Sequence, residues 1–255
     1  MQYQNRKTIA TLLVVQTIIT VVYAFSLFEV CLFYFREGGF TGIKEPLLNY
    51  FPHLVILICS IWPQAALLFK HKLHSQDGEI MPLLFTMIAT QASLIVTDAV
   101  TAMGFIFIFP EQLLVVQRFS LVATAALFLL SSLRYYGFSS SNMGFYTALF
   151  LAISLLLSSM VPFSSYRGQM STLTPGYEVY IQIVVLVLYL VSIITFIITA
   201  VKDKTSLNVK RSIAFILLVI SIYFSYYNTL YSAIIAVVLA IPATIILSIN
   251  AGDSL

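Results

Sequence analysis

Charged side chains are scarce in this chain. Lys, Arg, Asp and Glu make up 9% of the 255 residues, whereas 60% are hydrophobic; a typical soluble domain is about 25% charged. So few charges cannot cover the surface of a soluble fold of this size, and lipid must therefore solvate much of it. The absence of long basic runs also excludes nucleic acid as a partner.

Residues that build metal sites and soluble catalytic motifs are also few. The two cysteines, Cys31 and Cys59, lie in apolar runs without metal-ligand spacing, and the three histidines are dispersed. The sequence contains no Walker A, Rossmann or HExxH motif. We therefore expect no metal, no cofactor and no enzyme activity.

The sequence consists largely of long apolar runs. A transmembrane helix needs about 20 mostly apolar residues, and eight runs reach or approach that length. We predict an all-α, polytopic transmembrane bundle that forms one integral membrane domain over residues 1–255, with the lipid bilayer as its surroundings. The predicted spans are about 8–35, 50–69, 80–109, 112–133, 143–162, 177–201, 211–227 and 230–249.

The last two predicted spans come from one apolar run, residues 212–249, which is too long for a single crossing at 1.5 Å per residue. Its polar middle, residues 226–229, predicts a tight turn. A single tilted helix is the alternative, and it would leave seven spans with the C-terminus outside. The first apolar run is far longer than the core of a secretory signal, so we expect it to remain as a span.

The loop cations predict the orientation of the bundle. With the N-terminus in the cytoplasm, nine Lys and Arg residues fall on the inner side and three on the outer side, as the positive-inside rule requires. Eight spans then return the C-terminus to the cytoplasmic side of the plasma membrane. The inner residues are Arg6, Lys7, Lys70, Lys72, Arg134, Lys202, Lys204, Lys210 and Arg211, and the outer residues are Arg36, Lys44 and Arg167.

Ionisable side chains inside predicted spans are costly and therefore mark candidate sites. Asp98 lies 12 residues before Pro110 and Arg118 lies 8 residues after it, so a hairpin at Pro110 places them at depths about 6 Å apart. One interpretation is an ion pair that only fixes this hairpin, and the other is a functional site. Glu29, in the outer half of the first span, is either part of a site or extends to water.

Amide and hydroxyl side chains support a functional site. Gln91 and Thr101 share a helix face with Asp98, and Gln16 adds an amide on another span. We predict a polar interior that binds a small polar ligand or passes a proton. The candidate ligand-binding or ion-pair residues are Asp98, Arg118, Gln91, Gln182 and Glu29.

Tyrosines cluster at the predicted outer end of the last two spans. Such a cluster is typical of an interfacial belt, in which the ring is apolar and the hydroxyl is wet. The alternative is that these rings form the wall of a pocket. The cluster consists of Tyr223, Tyr226, Tyr227 and Tyr231.

Residues 127–137, Leu-Phe-Leu-Leu-Ser-Ser-Leu-Arg-Tyr-Tyr-Gly, resemble a segment of the membrane-embedded seven-helix sensor region of some bacterial histidine kinases. In that region a helix commonly ends in an apolar run, an Arg-Tyr or similar pair, and a glycine. The chain departs from the family in its extra span, its inner N-terminus and the lack of a kinase segment. The resemblance therefore implies a sensor module that acts through a protein partner carrying the output.

The sequence is consistent with two functions. The first is a membrane-embedded sensing or ligand-binding module that passes a conformational change to its partner. The alternative is a small membrane transporter or transporter subunit, which needs a polar path across the whole membrane. An intramembrane enzyme would need His, Asp or Glu clustered at one cavity, and no such cluster is visible in the sequence.

Overall fold

The computed structural model describes residues 2–69, 77–104, 110–137, 143–159, 175–202, 205–226 and 229–250. These residues form seven helices and no strand, so the all-α prediction is confirmed for them. The helices are α1 Gln2–Phe69, α2 Asp77–Ala102, α3 Pro110–Tyr135, α4 Met143–Ser159, α5 Pro175–Lys202, α6 Ser206–Ser225 and α7 Leu230–Asn250.

Six of these seven helices are long and apolar enough to cross a membrane. The exception is α4, which is apolar but has only 17 residues. Val, Ile, Leu and Phe side chains cover the outside of the bundle, as expected where lipid is the solvent. The chain therefore has the character of a multi-pass membrane protein.

The helix α1 folds back on itself at Gly39, where φ is 61° and ψ is −144°. Glycine adopts this left-handed backbone conformation without the steric cost that a side chain would add. The two arms, residues 2–38 and 40–69, run antiparallel, and the Tyr23 hydroxyl donates to the Tyr50 carbonyl at 2.7 Å. The sequence indicates a loop over residues 36–46, but the chain is helical on both sides of Gly39 because one reversed residue is enough to turn it.

Three buried polar side chains join the two arms of α1. Gln16 donates to the hydroxyl of Ser60 and accepts a hydrogen bond from the amide of Gln64. Ser60 also donates to the Leu57 carbonyl at 2.8 Å. Hydrogen bonds between membrane helices each contribute about 0.6–2 kcal/mol. Gln16, which the sequence assigns to a polar interior, therefore belongs to the α1 hairpin.

The helices close into a ring with two clusters of buried hydrophobic residues. In this ring α1 packs against α2 and α7, α3 packs against α2 and α5, and α6 packs against α5 and α7; α4 lies outside, on α3. The helix α5 packs into this ring through one face. Its buried residues recur every three or four positions and form one inward stripe: Ile181, Val185, Tyr189, Ser192, Phe196 and Thr199.

The last apolar run forms two antiparallel helices. Near the turn, the Ser221 hydroxyl of α6 donates to the Ala236 carbonyl of α7 at 2.7 Å. At the other end, Arg211 donates to the Asn250 carbonyl at 2.7 Å, which places a cation at the C-terminus of α7, where the helix dipole favours it. The two-helix interpretation of residues 212–249 describes this fold, and the single tilted helix does not.

Parts of the sequence prediction lie outside the described residues. They include the last residues of the third and fifth predicted spans, the turn after α6, and four loop cations. These positions are residues 105–109, residues 160–162, Tyr227, Lys70, Lys72, Arg167 and Lys204.

Candidate functional site

The side chain of Gln91 is a polar anomaly in the core of the bundle. It lies near the middle of α2 and is 4% exposed. Neither its Nε2 nor its Oε1 has a hydrogen-bond partner among the described residues. An unsatisfied buried polar group costs about 1–3 kcal/mol. The amide of Gln91 is therefore available to a molecule that enters the bundle.

Two adjoining cavities meet at Gln91. The smaller has a volume of about 290 Å³ and the larger about 570 Å³. We name the smaller one the charged cavity, because Asp98 lines it, and the larger one the tyrosine cavity, because Tyr189 lines it. The residues lining both are Gln91, Leu121, Gln182 and Tyr226.

The charged cavity brings together the two ionisable residues that the sequence singles out. Asp98 of α2 and Arg118 of α3 both line it, together with Gln117. Arg118 is only 3% exposed, whereas Asp98 is an exposed residue. The cavity thus presents a carboxylate near its opening and a guanidinium between the helices. A direct ion pair between these two groups stays a prediction.

Helical spacing explains why these groups share one wall. Gln91, Ile95 and Asp98 are four and three residues apart on α2, which places them on one face of that helix. The Gln117 amide of α3 donates to the Leu94 carbonyl of α2 at 3.3 Å. This bond ties the two helices together beside the cavity and so fixes how the α3 residues face α2.

The tyrosine cavity is lined by three tyrosines, Tyr189, Tyr223 and Tyr226. Tyr189 is 4% exposed, and its hydroxyl has no hydrogen-bond partner among the described residues. Two members of the tyrosine cluster at the end of α6 therefore form a pocket wall. Tyr231, by contrast, is 80% exposed on α7, as an interfacial residue would be.

The apolar wall of the tyrosine cavity belongs to the outer face of α5. Val179, Ile183 and Leu186 line the cavity and are 50%, 50% and 42% exposed on the bundle surface. In a membrane-spanning helix this face contacts lipid. The cavity therefore opens sideways towards the acyl chains as well as inwards towards Gln91.

Both cavities lie in the half of the bundle that contains the connection between α6 and α7. Asp98 is four residues from the end of α2, and Gln182 is seven residues into α5. Tyr226 directly follows α6. In the predicted orientation, this half faces the outside of the cell.

His53 is a site residue that does not stand out in the sequence. It is 5% exposed, and its ring meets the Tyr226 ring edge-on, with the centroids 5.6 Å apart. It lines a small pocket beside Gln91. Its position at the start of an apolar run predicts an interfacial residue. The presence of a histidine beside such a run is the only feature of the sequence that could have indicated a site here.

Two other predicted residues lie away from the cavities. Glu29 is exposed on the first arm of α1 and is not among the residues lining either cavity. Thr101 donates to the Thr97 carbonyl of its own helix at 2.8 Å and lines neither cavity. The exposure of Glu29 is consistent with a side chain that extends to water.

The described residues contain no group of three or more His, Cys, Asp or Glu side chains that could hold a metal ion. Cys31 and Cys59 are free, partly buried thiols. What the cavities offer a ligand is hydrogen bonding, charge and aromatic contact.

No protein family, curated protein or solved structure matches this chain. The chemistry of the two cavities is therefore the basis for assigning a function.

Proposed function

We propose that the protein is a membrane-embedded sensing or ligand-binding module that acts through a protein partner. The observation that carries this proposal is the convergence of Gln91, Asp98, Arg118 and Gln182 on adjoining cavities, with the Gln91 amide unsatisfied. Concave sites with a few convergent polar groups on an apolar background are typical of ligand-binding sites. The proposed role is not enzymatic.

An aromatic cluster below the cavities favours binding over transport. Phe128, Tyr135, Phe196 and Phe215 are buried and pack ring against ring. The last two are stacked, with 5.1 Å between centroids. A transporter needs a polar path through the whole bundle, whereas these rings fill the interior with apolar groups. Transport is the alternative function, and it requires the rings to separate.

Tyr189 connects the cavities to this aromatic cluster. It lines the tyrosine cavity, and its ring meets Phe128 edge-on with 5.8 Å between centroids. A ligand that holds Tyr189 in one position would bias the packing between α3 and α5, and so the surface presented to a partner. Phe128 and Tyr135 lie within the segment that resembles the histidine kinase sensor region, which supports a role in signalling.

We infer eight membrane crossings from the same set of helices. The two arms of α1, joined at Gly39, account for two of them. The neighbouring helices α3 and α5 run parallel, because Phe128 meets Tyr189 and, seven residues further along both helices, Tyr135 meets Phe196. The chain must return between two parallel helices, and α4 provides the return. Its 17 residues extend about 25 Å, close to the hydrocarbon thickness of about 30 Å.

An even number of crossings places both termini on one side, and the loop cations favour the cytoplasm for that side. We therefore place the protein in the cytoplasmic (plasma) membrane, with the cavities in its outer half. The described cations at the cytoplasmic end are Arg6, Lys7, Arg134, Lys202, Lys210 and Arg211, and those at the other end are Arg36 and Lys44.

Cysteine labelling tests this orientation. With Cys31 and Cys59 replaced by serine, we expect Glu37→Cys, beside the Gly39 turn, to react with a membrane-impermeant maleimide in intact cells. Lys202→Cys, at the end of α5, should react only after lysis, because an odd number of crossings separates the two positions. Labelling of Lys202→Cys alone in intact cells would indicate the opposite orientation. Labelling of both positions would contradict the number of crossings.

A binding role also predicts that Gln91→Leu stabilises the unliganded bundle. Leucine is of similar size but has no polar atoms, so the free energy of unfolding should rise by about 1–3 kcal/mol as the unsatisfied amide is removed. Gln16→Leu is the matched control, because it removes a buried amide that is hydrogen bonded in the α1 hairpin. It should lower the free energy of unfolding by about 1–4 kcal/mol, because two hydrogen bonds between the arms are lost. Reversible unfolding of delipidated protein in mixed micelles measures both changes.

The same substitution should weaken binding. Native mass spectrometry of the protein released from its own membranes should show a molecule bound to the wild type. Gln91→Leu should bind this molecule about tenfold more weakly, which is equivalent to 1.4 kcal/mol. Gln16→Leu should keep that molecule. Loss of stability in Gln91→Leu, or a wild-type protein without any bound mass, would contradict a binding site at Gln91.

A further inference from the structure

The two cavities together combine charge with a lateral apolar opening. The charged cavity supplies a carboxylate from Asp98 and a guanidinium from Arg118. The tyrosine cavity supplies phenol rings and the lipid-facing wall of α5, including Ile183 and Leu186. A small polar solute would use only the first set of groups. An amphiphile that enters sideways from the membrane would use both.

The order of these groups with depth is informative. Asp98 lies four residues from the end of α2, about 6 Å along the helix, and Arg118 lies eight residues into α3, about 12 Å along it. Gln91 is eleven residues from the end of α2, about 16 Å in. Tyr189 is fourteen residues into α5, about 21 Å in. Measured along the helices from these ends, the groups follow the order anion, cation, amide and then an aromatic, apolar space.

A phospholipid with an ethanolamine headgroup presents the complementary groups in the same order. Its ammonium group is outermost and is followed by the phosphate, the ester carbonyls and the acyl chains. Resting on the ligand-binding role argued above, we propose that the site binds such a lipid from the outer half of the membrane. The ammonium lies at Asp98, the phosphate at Arg118, an ester carbonyl at the Gln91 amide and one acyl chain in the tyrosine cavity.

The carboxylate of Asp98 and the guanidinium of Arg118 together determine which lipid headgroup binds best. A phosphate carried with a neutral glycerol group can bind at Arg118, but that headgroup brings no cation to Asp98 and adds a second negative charge nearby. A choline headgroup carries the positive charge, but its quaternary nitrogen has no N–H to donate to the carboxylate of Asp98. Only the primary ammonium supplies both charge and hydrogen bonds, and such charge-assisted bonds are roughly twice as strong as neutral ones.

Lipid titrations followed by native mass spectrometry test the proposal on the full-length, delipidated protein in detergent. The probes are phosphatidylethanolamine, phosphatidylglycerol and phosphatidylcholine with identical acyl chains. We expect the wild type to retain phosphatidylethanolamine about tenfold better than the other two, a difference of 1.4 kcal/mol. Asp98→Asn should remove the preference over phosphatidylglycerol. Because Asp98 is exposed, this variant should fold.

Two further variants complete the experiment. Arg118→Gln should weaken the retention of all three phospholipids about tenfold, and Arg118→Lys, which keeps the charge, should restore part of it. Glu29→Gln is the matched control, because it removes a carboxylate that lies outside both cavities. It should keep the wild-type preference.

The final probe is water-soluble phosphoethanolamine, which has the headgroup but no acyl chain. We expect no retention of it at concentrations that saturate the lipid site. If phosphoethanolamine is retained as well as the lipid, the result would contradict a lipid ligand and would favour a soluble zwitterionic ligand. Equal retention of phosphatidylethanolamine and phosphatidylglycerol by the wild type, or an unchanged preference in Asp98→Asn, would overturn the headgroup assignment. Neither result would alter the stability gain expected for Gln91→Leu, so the binding role is tested separately.

Discussion

Phe215→Ala should lower the free energy of unfolding by about 3–5 kcal/mol, the range for removing a buried phenyl ring. Phe215 is 1% exposed and is stacked on Phe196. Its ring centroid lies 5.5 Å from that of Tyr135 and 6.4 Å from that of Phe128. In lipid no hydrophobic effect drives helices together, so the association of α3, α5 and α6 depends on close packing of such rings. Alanine would leave a void bordered by all three neighbours.

The matched control for this prediction is Ile213→Ala on the same helix. Ile213 is 45% exposed, so it faces lipid, and its truncation should cost less than about 1 kcal/mol, as is usual for surface substitutions. Circular dichroism during reversible unfolding in mixed micelles compares the two variants. Similar losses at both positions would contradict the buried aromatic cluster, and with it the closed interior that favours binding over transport.

The charged wall of the site is predictable from the sequence because polar groups in an apolar run are visible as exceptions. Asp98, Arg118 and Gln91 each interrupt a long hydrophobic stretch, and helical spacing alone places Asp98 and Gln91 on one face. A connection predicted near Pro110 places α2 and α3 side by side, although Pro110 itself is the first residue of α3 rather than part of a turn. Their common cavity follows from these facts, whereas the place of Gln182 on the same wall depends on how α5 packs.

Tyr189 and His53 are not predictable because their residue types suit several environments. Tyr189 lies in a helix of 28 residues that is apolar on nearly all sides, so the sequence does not show which face turns inwards. His53 lies near one end of its predicted span, where an interfacial residue is expected. In both cases the role follows from the packing of a neighbouring helix, through Phe128 for Tyr189 and through Tyr226 for His53.

The position of α4 shows a similar limit at the level of the fold. Short connections predict that successive helices are antiparallel neighbours, yet α3 packs against α5, and α4 lies outside the ring. Ser154 and Ser158 are the fully buried residues on the described part of α4, and bulky residues such as Leu155 and Leu156 are exposed. The small serines allow close contact with α3 along a narrow stripe, and lipid covers the rest of the helix.

Gly42→Ala should force the two arms of α1 apart and lower the free energy of unfolding by about 3 kcal/mol, the upper end of the usual range for overpacking. A methyl group at Gly42 would collide with the backbone carbonyl of Tyr34 on the other arm. The obstacle is backbone rather than the end of a flexible side chain, so it cannot move aside without moving the arm. The hydrogen bond between Tyr23 and Tyr50 depends on the same spacing and should weaken as well.

Gly38→Ala is the matched control, four residues earlier in the same hairpin. A methyl group there meets nothing within 4 Å, and alanine is more favourable than glycine within a helix by about 1 kcal/mol. The two substitutions should therefore change stability in opposite directions. Spin labels at Val22 and Phe51, which are exposed on opposite arms, should move apart in Gly42→Ala and keep their distance in Gly38→Ala. An unchanged distance and stability in Gly42→Ala would contradict so tight a reversal at Gly39, and with it the double crossing of α1 that the eight-span topology requires.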